Sequence, residues 1–275
     1  MIINLRSFAV VSALAILAAL ALASSESQKQ FHYAVAPHST VTVANRSGVV
    51  RIAAGQSGQV KVTATLHSDQ VQVDAAQHGN RIELSTRALT NTTAEREQVD
   101  YLLEVPADGF LDVTDEDGRI EVSGLLGTSS LQGDSAGVSA ENIKGGRLQI
   151  HTVSGPVELT NVRDADVDVV SVSGPVEMKD VCGNNVTVNT TNGRIDYTGD
   201  FAGGGSYSLA NANADIVVTM PLGAAVDVSA RSLRGTVENA GSYYTRPSHL
   251  TGSPDKGTSS VTLRSVSGTI RVTKQ

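Results

Sequence analysis

The sequence predicts an all-β fold, a flattened β-solenoid or β-helix-like stack in which each coil takes about 19 residues. Turns that end in glycine recur along the chain, and from Gly118 to Gly193 the steps are 19, 18, 19 and 19 residues. After each such glycine, apolar and charged residues alternate. A fixed period of this size indicates one supersecondary unit stacked on copies of itself. The turn glycines are Gly48, Gly118, Gly137, Gly155, Gly174, Gly193, Gly235 and Gly268.

The stretch after a turn glycine has the pattern of a half-buried strand. In the unit of Gly155, the apolar residues Val157 and Leu159 flank Glu158. Because side chains alternate across a strand, the apolar pair would face a core and the charged residue would face solvent. A second short strand fits before each turn, so we expect two strands per coil, each paired with the equivalent strand of the next coil. We expect glycine at the turn because it adopts positive φ without steric cost.

The first residues have the features of a signal peptide. Arg6 supplies a positive charge, an apolar run covers Phe8 to Leu22, and the triplet ending at Ala23 fits a small-x-small cleavage site. The run is short for a membrane span of roughly 20 residues, so we expect cleavage rather than an uncleaved anchor. The protein is then exported to the periplasm, the cell surface or the extracellular space, without stable membrane insertion.

The rest of the chain divides by the regularity of its repeats. The periodic turns begin near residue 106, whereas the strand patterns before that point are less regular and suit a cap that hides an open sheet edge. The predicted organisation is a signal peptide at 1–23, a flexible segment at 24–39, a strand-rich capping region at 40–105, and solenoid repeats at 106–275 with an insertion near 241–258.

Composition excludes several classes of protein. The chain carries 21 Lys and Arg against 28 Asp and Glu, a formal net charge of −7. Nucleic acid is therefore not an expected partner, because that affinity depends on neutralised phosphates. Cys182 is the only cysteine, so no internal disulfide can form, and stability must come from stacked aliphatic side chains.

A longer motif occurs twice and indicates duplication. Residues 105–113 read VPADGFLDV and residues 220–228 read MPLGAAVDV, and both place proline five residues before an aliphatic-Asp-Val triplet. Proline has no N–H to donate to a central ladder, so we expect Pro106 and Pro221 at strand entries or edges.

These motifs resemble a known family. The element Val105-Pro106-Ala107, followed by serial units of the form t-x-SG-x-v-x-v after a signal peptide, is similar to the bacterial candidate-adhesin family of β-strand-repeat proteins, once filed as a domain of unknown function. The resemblance covers roughly residues 40–275. It implies a β-solenoid-like fold in an exported adhesin-like protein, and it offers no catalytic residues.

An outward acidic column is one candidate site. Coils in register would stack Glu158, Glu177 and Asp196 about 4.8 Å apart, where like charges repel by roughly 1–3 kcal/mol. Lys179 and Arg194 are near enough in sequence to interleave, which would leave a solvated charged face. A calcium ion that bridges the carboxylates is the alternative, and it is the only cofactor that the sequence suggests.

The long step between the last two turn glycines is the other candidate. Its 33 residues include Tyr243, Tyr244, Arg246 and His249, residue types that are favoured in contacts. Long loops on a rigid scaffold often carry binding, here of an envelope protein or a polysaccharide. The alternative is a cap loop whose tyrosines cover the last coil.

The sequence shows no catalytic centre. It contains no Gly-x-Ser-x-Gly elbow, no His-Glu-x-x-His and no phosphate loop. We therefore expect a non-enzymatic, adhesin-like interaction scaffold at the cell envelope. The alternatives are a carbohydrate-active β-solenoid enzyme, either a polysaccharide lyase or a hydrolase, and a purely structural envelope protein. Carboxyl groups with perturbed pKa in a groove would favour the enzyme.

Overall fold

The computed structural model describes residues 27–89, 97–199, 201, 204–222, 224, 226–239, 244–246, 249–252 and 259–274. The predicted signal peptide and part of the predicted insertion lie outside these residues. Every regular element within them is a β-strand, and stacked parallel pairing confirms the predicted all-β solenoid. This part of the chain contains no helix with the length and apolar character that a membrane crossing requires.

The strands follow one another closely along the chain. They are β1 (Ser27–Ala34), β2 (Thr40–Ala54), β3 (Gln59–Leu66), β4 (Val71–His78), β5 (Arg81–Ala88), β6 (Val99–Val105), β7 (Phe110–Ser123), β8 (Ser129–Gly133), β9 (Gly137–Glu141), β10 (Arg147–Thr152), β11 (Val157–Arg163), β12 (Asp166–Ser171), β13 (Val176–Cys182), β14 (Asn185–Thr190), β15 (Ile195–Thr198), β16 (Ser206–Asn211), β17 (Ile216–Met220), β18 (Val226–Ser232), β19 (Val237–Asn239), β20 (Tyr244–Arg246), β21 (His249–Gly252), β22 (Ser259–Ser265) and β23 (Ile270–Lys274).

Each regular coil contributes one strand to each of two parallel faces. The first face contains β8, β10, β12, β14 and β16, and the second contains β9, β11, β13, β15 and β17. Inward side chains such as Val169 and Met178 have no exposed surface. The predicted alternation is confirmed, and the core is a column of aliphatic side chains between the two faces.

The spatial order of the coils departs from the chain order after β17. On the first face β16 pairs with β22, and β22 pairs with β18. On the second face β17 pairs with β23, and β23 pairs with β19. The coil made of β22 and β23, here called the intercalated coil, therefore lies between two coils that precede it in the sequence.

The other end of the stack is built in the same way. The first half of β2 pairs with β5 and its second half with β6, while β7 lies along the opposite side of both halves. β2 is thus a full rung of the stack. Its residues fall within the segment 40–105, which we predicted to be a capping region. Its inward residues Val43, Val50 and Ile52 are fully buried, which holds it inside the stack. The cap consists of β1 and β3 to β6.

The duplicated proline motif explains both departures. In each motif a turn forms at the proline: the N–H of Gly109 donates to the carbonyl of Pro106, and the N–H of Ala224 donates to the carbonyl of Pro221, both at 3.2 Å. The chain then enters a strand two rungs away, from β6 to β7 and from β17 to β18. We call these turns, 106–109 and 221–224, skip turns, because each passes over one rung. β2 fills the place passed over by the first, and the intercalated coil fills the place passed over by the second.

The segment at 24–39, which we expected to be flexible, contributes strand β1. It pairs antiparallel with β3. Phe31 and Tyr33 are half-buried against the core, and their rings are stacked with centroids 6.4 Å apart. The sequence did not predict this strand, because its first four residues are polar and only its second half alternates apolar with polar side chains.

Close backbone contact, rather than positive φ, explains most of the turn glycines. Gly48 has a φ of 117°, but Gly155, Gly174 and Gly193 are not in the left-handed region. A Cβ on Gly174 would lie 1.9 Å from the carbonyl oxygen of Gly155, and one on Gly193 would lie 2.0 Å from that of Gly174. The expectation of positive φ is therefore wrong for these coils: glycine is needed because the backbone of the preceding rung lies directly against it.

We expect Gly174→Ala to lower the free energy of unfolding by about 2–3 kcal/mol, because the new methyl group overlaps a backbone oxygen that cannot move aside. Gly137→Ala is the control: the register places Ala136 at the equivalent turn position, and Gly137, which begins β9, has no positive φ and a Cβ there would meet its nearest atom at 3.5 Å. Denaturant unfolding of both variants measures the difference. Equal losses would contradict the contact explanation.

Candidate functional site

A column of buried polar side chains runs along the corner before the turns. Each member lies three residues before its turn, and neighbouring members are in register from rung to rung. The hydroxyls of Thr152, Ser171 and Thr190 donate to the carbonyls three residues later at 2.9, 3.0 and 2.7 Å. We call this set the corner ladder. It comprises Asn45, Asp115, Thr152, Ser171, Thr190, Asn211, Ser265 and Ser232.

The corner ladder fixes the direction of the residues on either side of it. Side chains one position before it point outward from the first face, and side chains one position after it point outward at the corner. Near the intercalated coil these two lines border a groove with a volume of about 770 Å³. The groove is lined mainly by Asn189, Ala210, Arg264, Arg231, Val266 and Leu233.

Two arginines lie side by side in this groove. Arg231 on β18 is in register with Arg264 on β22, which places them one strand spacing, about 4.8 Å, apart. Both are exposed, and neither forms an ion pair with a carboxylate in the described part of the chain. Some other outward arginines are neutralised, for example Arg51 by Glu121 at 2.7 Å and Arg271 by Glu238 at 2.8 Å, but they do not lie beside a second unpaired arginine in a groove. The groove therefore concentrates uncompensated positive charge on an acidic protein.

The predicted binding loop lies at the edge of the same groove. β20 and β21 form an antiparallel hairpin that pairs with β18, and the register sets His249 opposite both Arg246 and Arg231. Tyr244 begins β20, whereas Tyr243 lies outside the described residues. The hairpin backbone also pairs along the edge of β18, and both the binding role and the cap role of its side chains stay predictions.

The acidic column lies in register, as the period indicated. Glu158 pairs with Glu177, and Glu177 with Asp196, along β11, β13 and β15. The ammonium nitrogen of Lys179 lies 2.6 Å from a carboxylate oxygen of Glu177, and Arg194 lies 2.7 Å from Asp196. Hydrogen bonding to these carboxylates raises the pKa of both cations. The interleaved cations relieve the repulsion within the column.

We therefore expect calcium to have no effect on the melting temperature of chelated protein. The described residues contain no group of three or more His, Cys, Asp or Glu side chains that could hold a metal ion, and two of the three column carboxylates already have cationic partners. Thermal melts with calcium and with chelator test this, because an ion that binds only the folded state raises the melting temperature. A rise in the melting temperature with calcium would contradict this expectation and support a calcium ion bridging the column carboxylates.

Asp115 is the one carboxylic acid in the corner ladder. It is fully buried, and within the described residues only the backbone N–H groups of Asp117 and Arg119 interact with its carboxyl oxygens. Burial, with the negative charges of Asp117 and Glu116, raises its pKa to about 7. The next rung has Gly133 at the equivalent position, and a cavity of about 180 Å³ lies there, lined also by Asp134 and His151.

Sequence reasoning missed the groove, although a signal was available. Arg231 and Arg264 each stand four residues before a turn glycine, and Leu233 and Val266 each stand two before it. The latter two are 62% and 38% exposed. The positions before each turn therefore carry the pattern of both lines.

Comparison with known proteins identifies relatives of this architecture. Residues 38–273 match the family described as Toastrack DUF4097. No curated protein matches the chain. Among solved structures, a candidate adhesin from Bacteroides fragilis aligns over 90% of this chain and 98% of its own, with 10% identity and a TM-score of 0.44. A candidate cell adhesion protein from Clostridium sporogenes aligns over 90% and 100%, with 13% identity and a TM-score of 0.27.

Proposed function

The chain belongs to the Toastrack DUF4097 family, and from this premise we propose that it is an exported, non-enzymatic scaffold of adhesin-like type. In this proposal the stacked coils form a stiff support, and the groove with the hairpin of β20 and β21 binds a component of the cell envelope. One observation carries the proposal: Arg231 and Arg264 lie in register in a groove, and neither has a carboxylate partner among the described residues.

Export is tested by fractionating cells that produce the full chain and measuring the mass of the recovered protein. We expect the protein outside the cytoplasm, beginning at Ser24 after cleavage behind Ala23. A cytoplasmic protein that still begins at Met1 would contradict this part of the proposal.

Binding is tested by retention of the purified protein on envelope preparations, with and without protease treatment to separate protein from polysaccharide partners. Replacing Tyr243 and Tyr244 by alanine is expected to lower retention, because large aromatic side chains dominate contact surfaces. Phe110→Ala is the control, since Phe110 is an exposed aromatic residue, 49% accessible, on an early coil. Equal retention of all variants would remove the hairpin from the binding surface.

A carbohydrate-active enzyme is the second candidate, and Asp115 is the observation that favours it. A carboxyl group whose pKa is about 7 beside a small cavity is a feature of acid–base sites. The scaffold remains the better proposal, because the equivalent ladder positions Thr152, Ser171 and Thr190 show that this site closes a turn. Release of new chain ends from polysaccharides by the parent protein, lost in Asp115→Asn, would establish the enzyme.

A further inference from the structure

We infer that the groove binds an acidic polysaccharide, whose carboxylate groups contact Arg231 and Arg264. The inference rests on the proposed binding function and specifies its ligand. Two guanidinium groups one rung apart repel each other, and an anion that contacts both would remove this repulsion while forming charge-assisted hydrogen bonds. The planar fork of arginine suits a carboxylate in particular.

The remaining lining of the groove suits a sugar chain. Amide and hydroxyl side chains, such as Asn189, Ser229 and Thr262, can exchange hydrogen bonds with sugar hydroxyls. The exposed aliphatic side chains of Leu233 and Val266 also line the groove, and the apolar face of a sugar ring can pack on them. Both kinds of contact are present within one groove, beside the arginine pair.

The shape of the surface favours a polymer over a small anion. The corner line continues from Leu233 and Val266 through Ala212 and Thr191 to Val172 and Val153, and these last two valines are 42% and 49% exposed. Rungs repeat about every 4.8 Å, and one pyranose unit advances a polysaccharide by a similar distance. Successive sugars can therefore meet equivalent positions on successive coils.

An acidic peptide is the less suitable anion. Peptides often bind sheets by adding a strand to a free edge, but the edge of β18 beside the groove is already paired with β21. Inside the groove the backbone groups of β18, β22 and β16 are paired with one another. A ligand must therefore be held by side chains alone, which suits the many hydroxyl groups of a sugar chain.

The test is calorimetric titration of the purified protein with oligogalacturonate, its methyl ester and polyglutamate. We expect oligogalacturonate to bind, with an affinity that falls as salt is added. The neutral ester is expected to bind about tenfold more weakly or worse, and the Arg231→Ala/Arg264→Ala variant is expected to lose about tenfold or more in affinity for oligogalacturonate. The control Lys144→Ala/Arg147→Ala removes the same charge from exposed positions on distant coils and is expected to stay within about twofold of the parent.

Three results would overturn the inference: no binding of oligogalacturonate, equal binding of the ester, or equal binding by the arginine variant. Polyglutamate binding as tight as that of oligogalacturonate would show that the ligand class is wrong. If the protein is retained on envelope preparations but ignores oligogalacturonate, this inference fails and the proposed function stands. If it binds neither, both fail.

Discussion

A chain that ends at residue 258 is expected to lose the folded state of the neighbouring coils, not only one edge of the stack. The truncation removes the intercalated coil, in which Val261, Leu263, Ile270 and Val272 are fully buried. Burial of one such side chain contributes about 1.5–3 kcal/mol, so the loss is of the order of the whole stability of a domain, about 5–15 kcal/mol. It also leaves the coils of β16–β17 and β18–β19 facing an empty slot.

The measurement is denaturant unfolding with amide hydrogen exchange over β16 to β19. A chain that begins at residue 37 is the matched control, because it lacks only β1, an outer strand paired on one side with β3. The control should remain folded, whereas the chain ending at 258 should exchange rapidly throughout β16 to β19. Adding a peptide of residues 259–275 should restore protection. Full protection in the truncated chain without the peptide would contradict the intercalated arrangement.

Asp115→Asn is expected to stabilise the protein at pH 8 by roughly 2–4 kcal/mol. The pKa of Asp115 is raised from 3.8 to about 7 by burial and by its acidic neighbours. The folded state therefore holds a proton that the unfolded state releases between these two values. This contribution to stability is complete below pH 3.8, declines as the pH rises toward 7, and is absent above it.

The difference in unfolding free energy between variant and parent, measured from pH 4 to pH 8, isolates this carboxyl group from the other titrating residues. The free energy of unfolding of the variant should rise relative to that of the parent as the pH rises through this window. Asp227→Asn changes an exposed outward aspartate on β18 and should show no such gain. If Asp115→Asn is less stable than the parent at pH 8, the assignment of a buried, protonated acid is wrong.

The coil structure follows from the sequence because its signal is local. Val157 and Leu159 alternate with Glu158, and the structure buries the first two and exposes the third. The same period predicted that Glu158, Glu177 and Asp196 would lie in register, and they do. The period could not reveal that Gly174 stacks directly on Gly155, because a contact between rungs depends on their separation and not on local backbone preference.

The order of the coils does not follow from the sequence, because every coil presents nearly the same pattern to its neighbours. Val261 and Leu263 pack beside Tyr207 and Leu209 on the neighbouring rung. Val228 and Ala230, which come next in the chain, have the same apolar pattern and would suit that place equally well. The skip turns at Pro106 and Pro221 were visible as a duplicated motif, but nothing in the motif states how many rungs the chain passes. The residues that border the candidate groove recur at fixed positions before the turns, but their assembly into one groove depends on the coil order, since its walls come from β16, β22 and β18.

The most direct test of the intercalated order is disulfide formation between engineered cysteines in a Cys182→Ala background. Ser208 is in register with Thr262, and Thr262 with Ser229, so Ser208 and Ser229 lie two strand spacings, about 9.6 Å, apart. A disulfide requires Cα atoms within about 7 Å. We predict that Ser208→Cys/Thr262→Cys crosslinks on oxidation and that Ser208→Cys/Ser229→Cys does not. The reverse result, which stacking in chain order requires, would contradict this account.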